Sequence, residues 1–453
     1  VSLASLLSIA RSALLVHQRA MDVTGHNVAN ANTPGYSRQT LQLQAAAPLV
    51  LPRYSVGRGV DAAQVTRSRD AFYDAAYRRD NGMFGQSGTL NDYLGQIEAS
   101  LNEPSDSGLS ASLDGMFRSL ADLANDPASH TNRELVVSAA NRMTQQMHSL
   151  AGQLGRISQE AVDNLRTQVD QVNGLATRIA GLNEKIVASG GVGGSPDLMD
   201  QRDMLVDQVS QLMNVRVLER ADGTIGLSAG DTMLVDGGQA ATLAVGSVGS
   251  GWGIVPAAGG AAIDPQSGSL KALLDLVDTR VPAVSQKLDQ LASALVTEFN
   301  NVHRTGYTPA GVTNVDFFDP AGVTASSIQL SAAVSGSSDN IAASGNNTPG
   351  NGDVVSRLAG LATTGVASLG GRTFREHFVS LAASIGIDVS SSGQDLAAHQ
   401  TLVDRDQQAR NATSGVNVDE EMIALITQQQ AYQASARLVT VAEQMITDLM
   451  NIL

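Results

Sequence analysis

Residues 131–186, TNRELVVSAANRMTQQMHSLAGQLGRISQEAVDNLRTQVDQVNGLATRIAGLNEKI, decide the fold. Within them Leu135, Val136, Ala139, Met143, Met147, Leu150, Leu154, Ile157, Ala161, Leu165, Val169, Val172, Leu175, Ile179, Leu182 and Ile186 recur mostly three or four positions apart, and no proline intervenes. That period lays apolar groups along one side of a continuous helix. A helix of this length is held by tertiary packing of its apolar face, so the stripe predicts a rod of long helices packed side by side.

Working outward, Ser68-Arg69-Asp70 opens another helical series, with Phe72, Leu90, Leu94, Ile97 and Leu101 on its apolar side before Pro104 stops it. A further series starts near Leu109. On the other flank Gly190 to Pro196 ends the rod helix, and Asp197 to Met213 reads as a short return helix. From Asn214 to Pro265 the composition shifts to Gly, Thr, Val, Ser and Asp, with turn signals at Asp222-Gly223 and Asp236-Gly237, which reads as a small β-rich module. Helix resumes from Ser269 through Phe299. Gly306 to Gly352 is rich in Gly, Ser, Thr and Asn; strand is expected there only around Ile328 to Val334, and Ser335 to Asp353 reads as a mobile loop. The last helices start near Val354, Phe374 and Asn417, the final one with Asn417 as cap and Glu420 in the capping-box position.

The two ends differ from the rod. From Ser2 to about Asn30, Leu3, Leu7, Ala10, Leu14, His17, Met21, Thr24 and Val28 alternate in steps of four and three, one face of a helix. It stops at Asn30-Ala31-Asn32-Thr33-Pro34-Gly35-Tyr36, where Pro-Gly suits the centre of a type II turn. Arg38 to Val65 reads as irregular strand and loop. At the other end Leu438, Val441, Met445, Ile446, Leu449 and Ile452 leave the last helix apolar around much of its circumference. Fixing its backbone costs about 1–2 kcal/mol per residue, and burying a large apolar side chain returns about 1.5–3 kcal/mol. Alone it buries none. The tail is therefore expected to be largely disordered in a monomer and to fold on partners, the N-terminal helix being its first neighbour; the alternative that periodicity leaves open is that the two ends pack into one globular core.

Composition closes several functional classes. The 453 residues contain no Cys, which excludes disulfides, thiolate metal ligation and a cysteine nucleophile. A formal net charge of −15 argues against nucleic acid as a partner. No run approaches the roughly 18 apolar residues of a membrane helix. Val1 to Val16 lacks a basic leader and a small-x-small cleavage site, so no cleaved secretory signal is expected there. Only 4% of residues are aromatic and 16% charged, a balance nearer an extended or polymeric protein than a compact enzyme.

Potential chemistry is thin. Gly226-Leu227-Ser228-Ala229-Gly230 fits the G-x-S-x-G frame of hydrolases, but that frame needs a helix after the serine, and Asp231 to Val235 continues in β-like residues. The seven histidines never fall three or four apart, so no metal site is legible. Asp404 with Asp406, and Asp419 to Glu421, read as solvated faces and cap charges. No catalytic residue, cofactor or metal is predicted.

The segment Asn27-Val28-Ala29-Asn30-Ala31-Asn32-Thr33-Pro34-Gly35-Tyr36 resembles the N-terminal signature of the bacterial flagellar axial proteins, those of rod, hook and hook-associated layers. Ser414 to Glu421, followed by Gln428 to Arg437, is similar to the matching C-terminal end. Asp200-Gln201-Arg202-Asp203 with Leu205-Val206, Glu298-Phe299-Asn300 with Gly306-Tyr307, and Asp316-Phe317-Phe318 resemble internal segments of hook-associated members. A long helical rod beside the Thr-Pro-Gly-Tyr turn separates this chain from rod and hook proteins on one side and flagellins on the other. Many hook-associated relatives carry a further outer domain where this chain has only Thr308 to Gly352.

The resemblance implies a mainly α fold with a smaller β part: a long antiparallel, flagellin-like helical rod, paired terminal helices in an inner-tube domain, and an inserted β-rich outer domain. The expected units are 1–35 with 415–453 for the inner tube; 36–213 with 266–305 and 353–414 for the rod; and 214–265, with or without 306–352, for the outer domain. It implies a non-enzymatic structural layer at the hook–filament junction, outside the cell and required for filament assembly. A hook or distal-rod protein is the alternative, and a hydrolase using Ser228 a remoter one. The implied partners are further copies in a ring, the flagellar hook protein, hook-associated protein 3, an export chaperone and the flagellar type III export apparatus. The signature turn comprises Asn27, Asn30, Asn32, Thr33, Pro34, Gly35 and Tyr36. Leu3, Leu7, Leu14, Met21 and Val28 are expected at subunit interfaces, and Leu438, Val441, Met445, Ile446, Leu449 and Ile452 at subunit or chaperone interfaces.

Overall fold

The computed structural model describes residues 3–51, 54–348 and 350–452; Val1, Ser2 and Leu453, at the outer ends of the two terminal series, lie outside them. The chain begins with α1 (Leu3–Asn30) and then a hairpin: β1 (Gln39–Ala45), β2 (Leu49–Leu51), β3 (Tyr54–Val56) and β4 (Val60–Arg67). β1 pairs antiparallel with β4 and β2 with β3, so the segment expected to be irregular is a ladder with one register shift between Gln42 and Leu43. Side-chain alternation hides this, because most of β1 faces solvent on both sides.

The rod is built from α2 (Ala71–Leu101), α3 (Leu109–Asn125), α4 (His130–Ala188) and α5 (Pro196–Leu212). Asp70 caps α2 by accepting from Phe72 N–H at 2.8 Å, and Ser129 caps α4 by accepting from Asn132 N–H at 3.2 Å. At 1.5 Å per residue the 59-residue α4 is about 88 Å long. Its stripe is buried almost without interruption, from Val136, Met143 and Met147 to Ile179 and Ile186. Leu135 falls off that face and is half exposed. Gly190 and Gly191 take positive φ in the turn that sends the chain back into α5.

Strands β5 (Arg216–Glu219), β6 (Ile225–Ala229), β7 (Thr232–Asp236) and β8 (Gln239–Ala240) form an antiparallel sheet in that order, followed by the hairpin β9 (Leu243–Val248) and β10 (Gly251–Pro256). Two asparagines of α4 fasten this module. Asn173 exchanges both amide bonds with the Leu243 backbone, and the fully buried Asn183 does so with Ile225 while also donating to Gly237 O.

Helix α6 (Ser269–Asp275), a π-helical turn (Leu276–Arg280) and α7 (Val281–His303) return along the rod, and the short α8 (Ala332–Gly336), α9 (Asp353–Gly360) and the 41-residue α10 (Phe374–Ser414) follow. Phe299 of α7 is the hub of an aromatic core, with ring centroids 5.7 Å from Phe117, 5.5 Å from Phe317 and 5.3 Å from Phe318. Asn300 stitches it by accepting from Phe317 and Phe318 N–H and donating to Phe318 O.

Between α7 and α9 the structure differs from expectation. The strand anticipated at Ile328 to Val334 is a single bridge, Leu330 to Phe318, leading straight into α8. The polar stretch expected to be mobile is pinned. Ile341, Ala342 and Ala343 are buried, Arg133 donates to Ile341 O, and His303 Nε2 accepts from Ala342 N–H at 2.8 Å. A few specific bonds replace the apolar surface this stretch lacks. These contacts reach the first half of α4, at Arg133 and His148, whereas the β module sits on Asn173 and Asn183. Composition grouped the two regions; the fold separates them along the rod.

Candidate functional site: the terminal helix pair and its root

Helix α11 (Val418–Ile452) closes the chain and lies along α1. Its inner seam is Glu421, Leu425, Gln428, Tyr432, Ser435, Val439, Ala442 and Ile446, an unbroken alternation of four and three. Only Glu421, Ser435 and Ala442 of these are buried; facing them, α1 buries Ala10, Val16, Ala20, Thr24 and Asn27. His17 and Gln428 meet midway, at 2.8 Å. Small and polar groups thus do the closest packing, which leaves the pair thinly cored.

The predicted contact residues divide accordingly. Leu3, Leu7, Leu14, Met21 and Val28 are half-buried within the chain itself. Leu438, Val441 and Met445 point outward at 45%, 53% and 48% exposure, on the same helix as exposed Met422, Ile423 and Ile426. Ile446 lies on the inner seam. The side chains of Leu449 and Ile452 are outside the described residues.

At the root of the pair the signature turn becomes a bonding pattern. Thr33 O accepts from Tyr36 N–H at 3.2 Å around Pro34 and Gly35, whose φ of +77° is the left-handed value a type II turn requires. A Cβ on Gly35 would also run into Met204 Sδ. Asn27, 1% exposed, uses its whole amide: Nδ2 donates to Gln39 O and Glu421 Oε2, and Oδ1 accepts from Gln39 N–H and Tyr36 Oη–H, all within 2.9 Å. Glu421 also takes Arg38 Nε at 2.6 Å. One asparagine therefore ties α1, the turn, β1 and α11 together. Asn30 donates to His26 O and accepts from Thr33 Oγ1, securing the last turn of α1; Asn32, Thr33, Pro34 and Gly35 are exposed. Burial, then the carboxylates of Asp197, Asp200 and Glu421, push the Tyr36 hydroxyl well above its ordinary range, so it stays a donor.

The cap of α11 departs from the capping box expected there: Asn417 Oδ1 accepts from Asp419 N–H, and its Nδ2 donates to Glu420. An Asx turn reaches the second amide before the third. Full capping-box geometry appears instead at Thr373 and Glu376 of α10. The acidic residues read as solvated also split, since Glu421 and Asp406 are buried at 2% and 5% exposure while Asp404, Asp419 and Glu420 are exposed.

Beneath the root lies a charge network that sequence reading missed. Arg67 contacts Asp200 at 2.7 Å and Asp203 at 2.8 Å; Arg69 contacts Asp203 and Asp74, both at 2.7 Å; Arg78 meets Asp207 at 2.7 Å; and Arg410 reaches Asp74 and Asp207 at 2.9 Å. Ser37 gives Asp200 both its N–H and its hydroxyl. Burial alone would raise the Asp203 carboxyl, yet Arg69, Arg67, Arg202 and Arg78 hold it below the usual carboxylate range. The hairpin base, α2, α5 and α10 are thereby locked at one joint. A signal was present: Asp200, Asp203 and Asp207 share a helical face, and Arg67, Arg69 and Arg78 cluster in sequence. A polar cleft of about 980 Å³ opens between this joint, the signature turn and the α10–α11 link.

Ser228 lies buried in β6, paired with Arg216 of β5 and Met233 of β7, and a strand follows it, so the G-x-S-x-G frame here is hairpin rather than nucleophile elbow. Among the described residues, no group of three or more His, Cys, Asp or Glu could hold a metal ion, and no helix is long and apolar enough to cross a membrane.

Comparison with known proteins gives a consistent result. Residues 94–318 match the flagellar hook-associated protein FlgK helical domain, 407–452 the flagellar basal body rod FlgEFG protein C-terminal family, and 7–36 the flagella basal body rod protein family. Flagellar hook-associated protein 1 of Bacillus subtilis is 29% identical over 98% of this chain and 97% of its own length. The Salmonella typhimurium protein of the same name is 31% identical over 70% of this chain, but the match takes in only 59% of that longer relative. The flagellar hook junction protein FlgK from Burkholderia pseudomallei shares the fold, with a TM-score of 0.67 at 16% identity, over 75% of this chain and all of that one.

Proposed function

We propose, because this chain belongs to the flagellar hook-associated protein 1 family and is a structural component of the bacterial flagellum, that it forms the first junction layer between hook and filament. The observation that carries this reading is the terminal pair, held by Asn27 and Glu421 at its root and left with an uncovered apolar stripe on α11. A stripe of that kind on a thinly cored pair needs neighbours. In the assembled flagellum 1–35 and 415–453 line the inner tube, with Leu438, Val441 and Met445 against adjacent copies, while 36–213, 266–305 and 353–414 form the surrounding rod and 214–265 the outer face.

The neighbours along the axis are the flagellar hook protein below and hook-associated protein 3 above. Before assembly a dedicated chaperone covers α11, and the chain passes unfolded through the flagellar type III apparatus, which an absence of disulfides permits. The protein then resides outside the cell. Mechanically the layer separates a bending hook from a stiffer filament. A non-enzymatic role accords with the burial of Ser228.

Deleting the gene and viewing cells by electron microscopy, with a blot for flagellin in the medium, tests the junction role. Bare hooks with shed flagellin are expected. Missing hooks would move the protein to the rod or hook, and normal filaments would remove it from the junction.

A further inference from the structure

Two apolar patches near the terminal pair stay uncovered in the folded chain. One is on the β2–β3 end of the N-terminal hairpin, where Leu49 and Val50 are 51% and 77% exposed. The other is on the first turns of α11, where Ile423 and Ile426 are 67% and 50% exposed. At 100° per residue Asp419, Ile423 and Ile426 fall on one side of that helix, turned away from the buried Glu421.

The fold itself keeps the patches apart. The β1–β4 ladder leaves the root beside α1 and stays beside it. At the root Asn27 Nδ2 donates to Gln39 O at 2.9 Å. At the ladder's other end Ala46 N–H donates to Gly59 O at 3.0 Å, and Gly59, with φ +97°, sits so close to α1 that a Cβ there would run into Ser12 Oγ. Gln39 to Ala46 spans about 23 Å of strand and Asn27 to Ser12 about 22 Å of helix, so ladder and helix keep pace. Leu49 and Val50 therefore follow a ladder end at the level of Ser12. Ile423 and Ile426 lie between the level of Asn27, which meets Glu421, and that of His17, which meets Gln428. The two patches are displaced along the pair, and neither covers the other.

Their chemistry matches. Residues 46–60 include Arg53 and Arg58 and no Asp or Glu, and Arg58 is exposed. Helix α11 opens with Asp419, Glu420 and Glu421; Glu421 is taken by Asn27 and Arg38, while Asp419 and Glu420 are exposed. Among the described residues neither Arg58 nor Asp419 has an ion-pair partner. Each patch thus joins two exposed aliphatic side chains to an unspent charge, positive on the hairpin and negative on the helix. Two complementary patches at different places on one chain make a head-to-tail contact between copies, which closes a ring or continues a helix.

We propose that the hairpin end of one copy seats on the first turns of α11 of a neighbouring copy, Leu49 and Val50 against Ile423 and Ile426, with Arg58 facing Asp419. Granted the polymeric role set out above, the hairpin is then a clasp between copies, and the displacement of the two patches within the chain sets the stagger between neighbours.

Because the chain has no cysteine, a pair introduced by substitution reads a single contact. The full chain carrying Val50→Cys and Ile423→Cys, expressed in place of the natural protein, is oxidised in axial structures sheared from the cells and run on a non-reducing gel. The double variant should give a reducible ladder of dimers, trimers and longer oligomers, and each single variant monomer. Monomer alone from the double variant overturns the proposal; so does a dimer from either single variant, which would mean that like patches meet. If this pair keeps the chain out of the axial structures, Arg58→Cys with Asp419→Cys is read by the same rule. Electron microscopy of the same preparation locates the protein separately: a ladder from chains in rod or hook would leave the contact standing and remove the junction layer.

Discussion

Helices α4 and α11 are both long, and the inward seam of each recurs in steps of three and four, yet they are held in opposite ways. Along α4 most large side chains of the stripe from Val136 to Ile186 are buried; along α11 the buried set among the described residues is Glu421, Ser435 and Ala442, and Met422, Ile423, Val441 and Met445 face outward. The rod is stabilised within the chain, whereas the terminal pair is fixed at its root and leaves an apolar stripe of α11 uncovered within the chain. Periodicity alone does not separate the two cases, because the same pattern appears whether the partner is intramolecular or not.

The strongest way to break that contrast is to damage the rod. Phe299→Ala, at the hub of the aromatic core, should cost about 3–5 kcal/mol and lower the denaturant midpoint of the whole chain. Retention of the natural midpoint would mean that the rod is not the stabilising body.

Acid should act on the same region. His303 is fully buried and neutral, its ring accepting from Ala342 N–H through Nε2 and bonding Val315 O through Nδ1. Burial pushes its pKa from 6.5 to about 4. The unfolded chain therefore takes up this proton first as pH falls, so stability is complete above about 6.5 and declines by up to about 3 kcal/mol toward pH 4. Comparing acid unfolding of the natural protein with His303→Gln isolates this contribution. Equal pH slopes would show that the histidine is not the sensor.

A smaller and more local effect sharpens the comparison. Glu421→Ala leaves one hydrogen of Asn27 Nδ2, and Arg38 Nε, without an acceptor, at a cost of about 1–3 kcal/mol confined to the terminal pair. Hydrogen exchange should quicken in α1 and α11 while α4 is unchanged. Quickening along α4 as well would mean that rod and terminal pair unfold as one unit.

How much of this was legible follows from where the contacts lie. The bounds of α4, α5 and α2 came close because local signals, a cap, a Pro or a Gly turn, coincide with one-sided packing. The stretch between α7 and α9 did not, because Arg133 and His303 hold it from far away in sequence. Asp406 was read as solvated since nothing near it in sequence announces that Asp80 lies across the seam between α2 and α10. In the signature turn the residue types were legible, while the amide bonding of Asn27, spanning 394 positions to Glu421, was not.

The one-ended fastening of the terminal pair has a geometric outcome. Helix α1 is 28 residues, about 42 Å, and its polar anchor is at Asn27, near the end farthest from Leu3. The pair is a cantilever. A tilt of about 5° at the anchor swings the far tip by roughly 4 Å, close to the width of one side-chain row. Copies of the chain can thus differ at their tips while their roots and rods stay identical, which is what the proposed layer between hook and filament requires if one fold is to meet two unlike tubes.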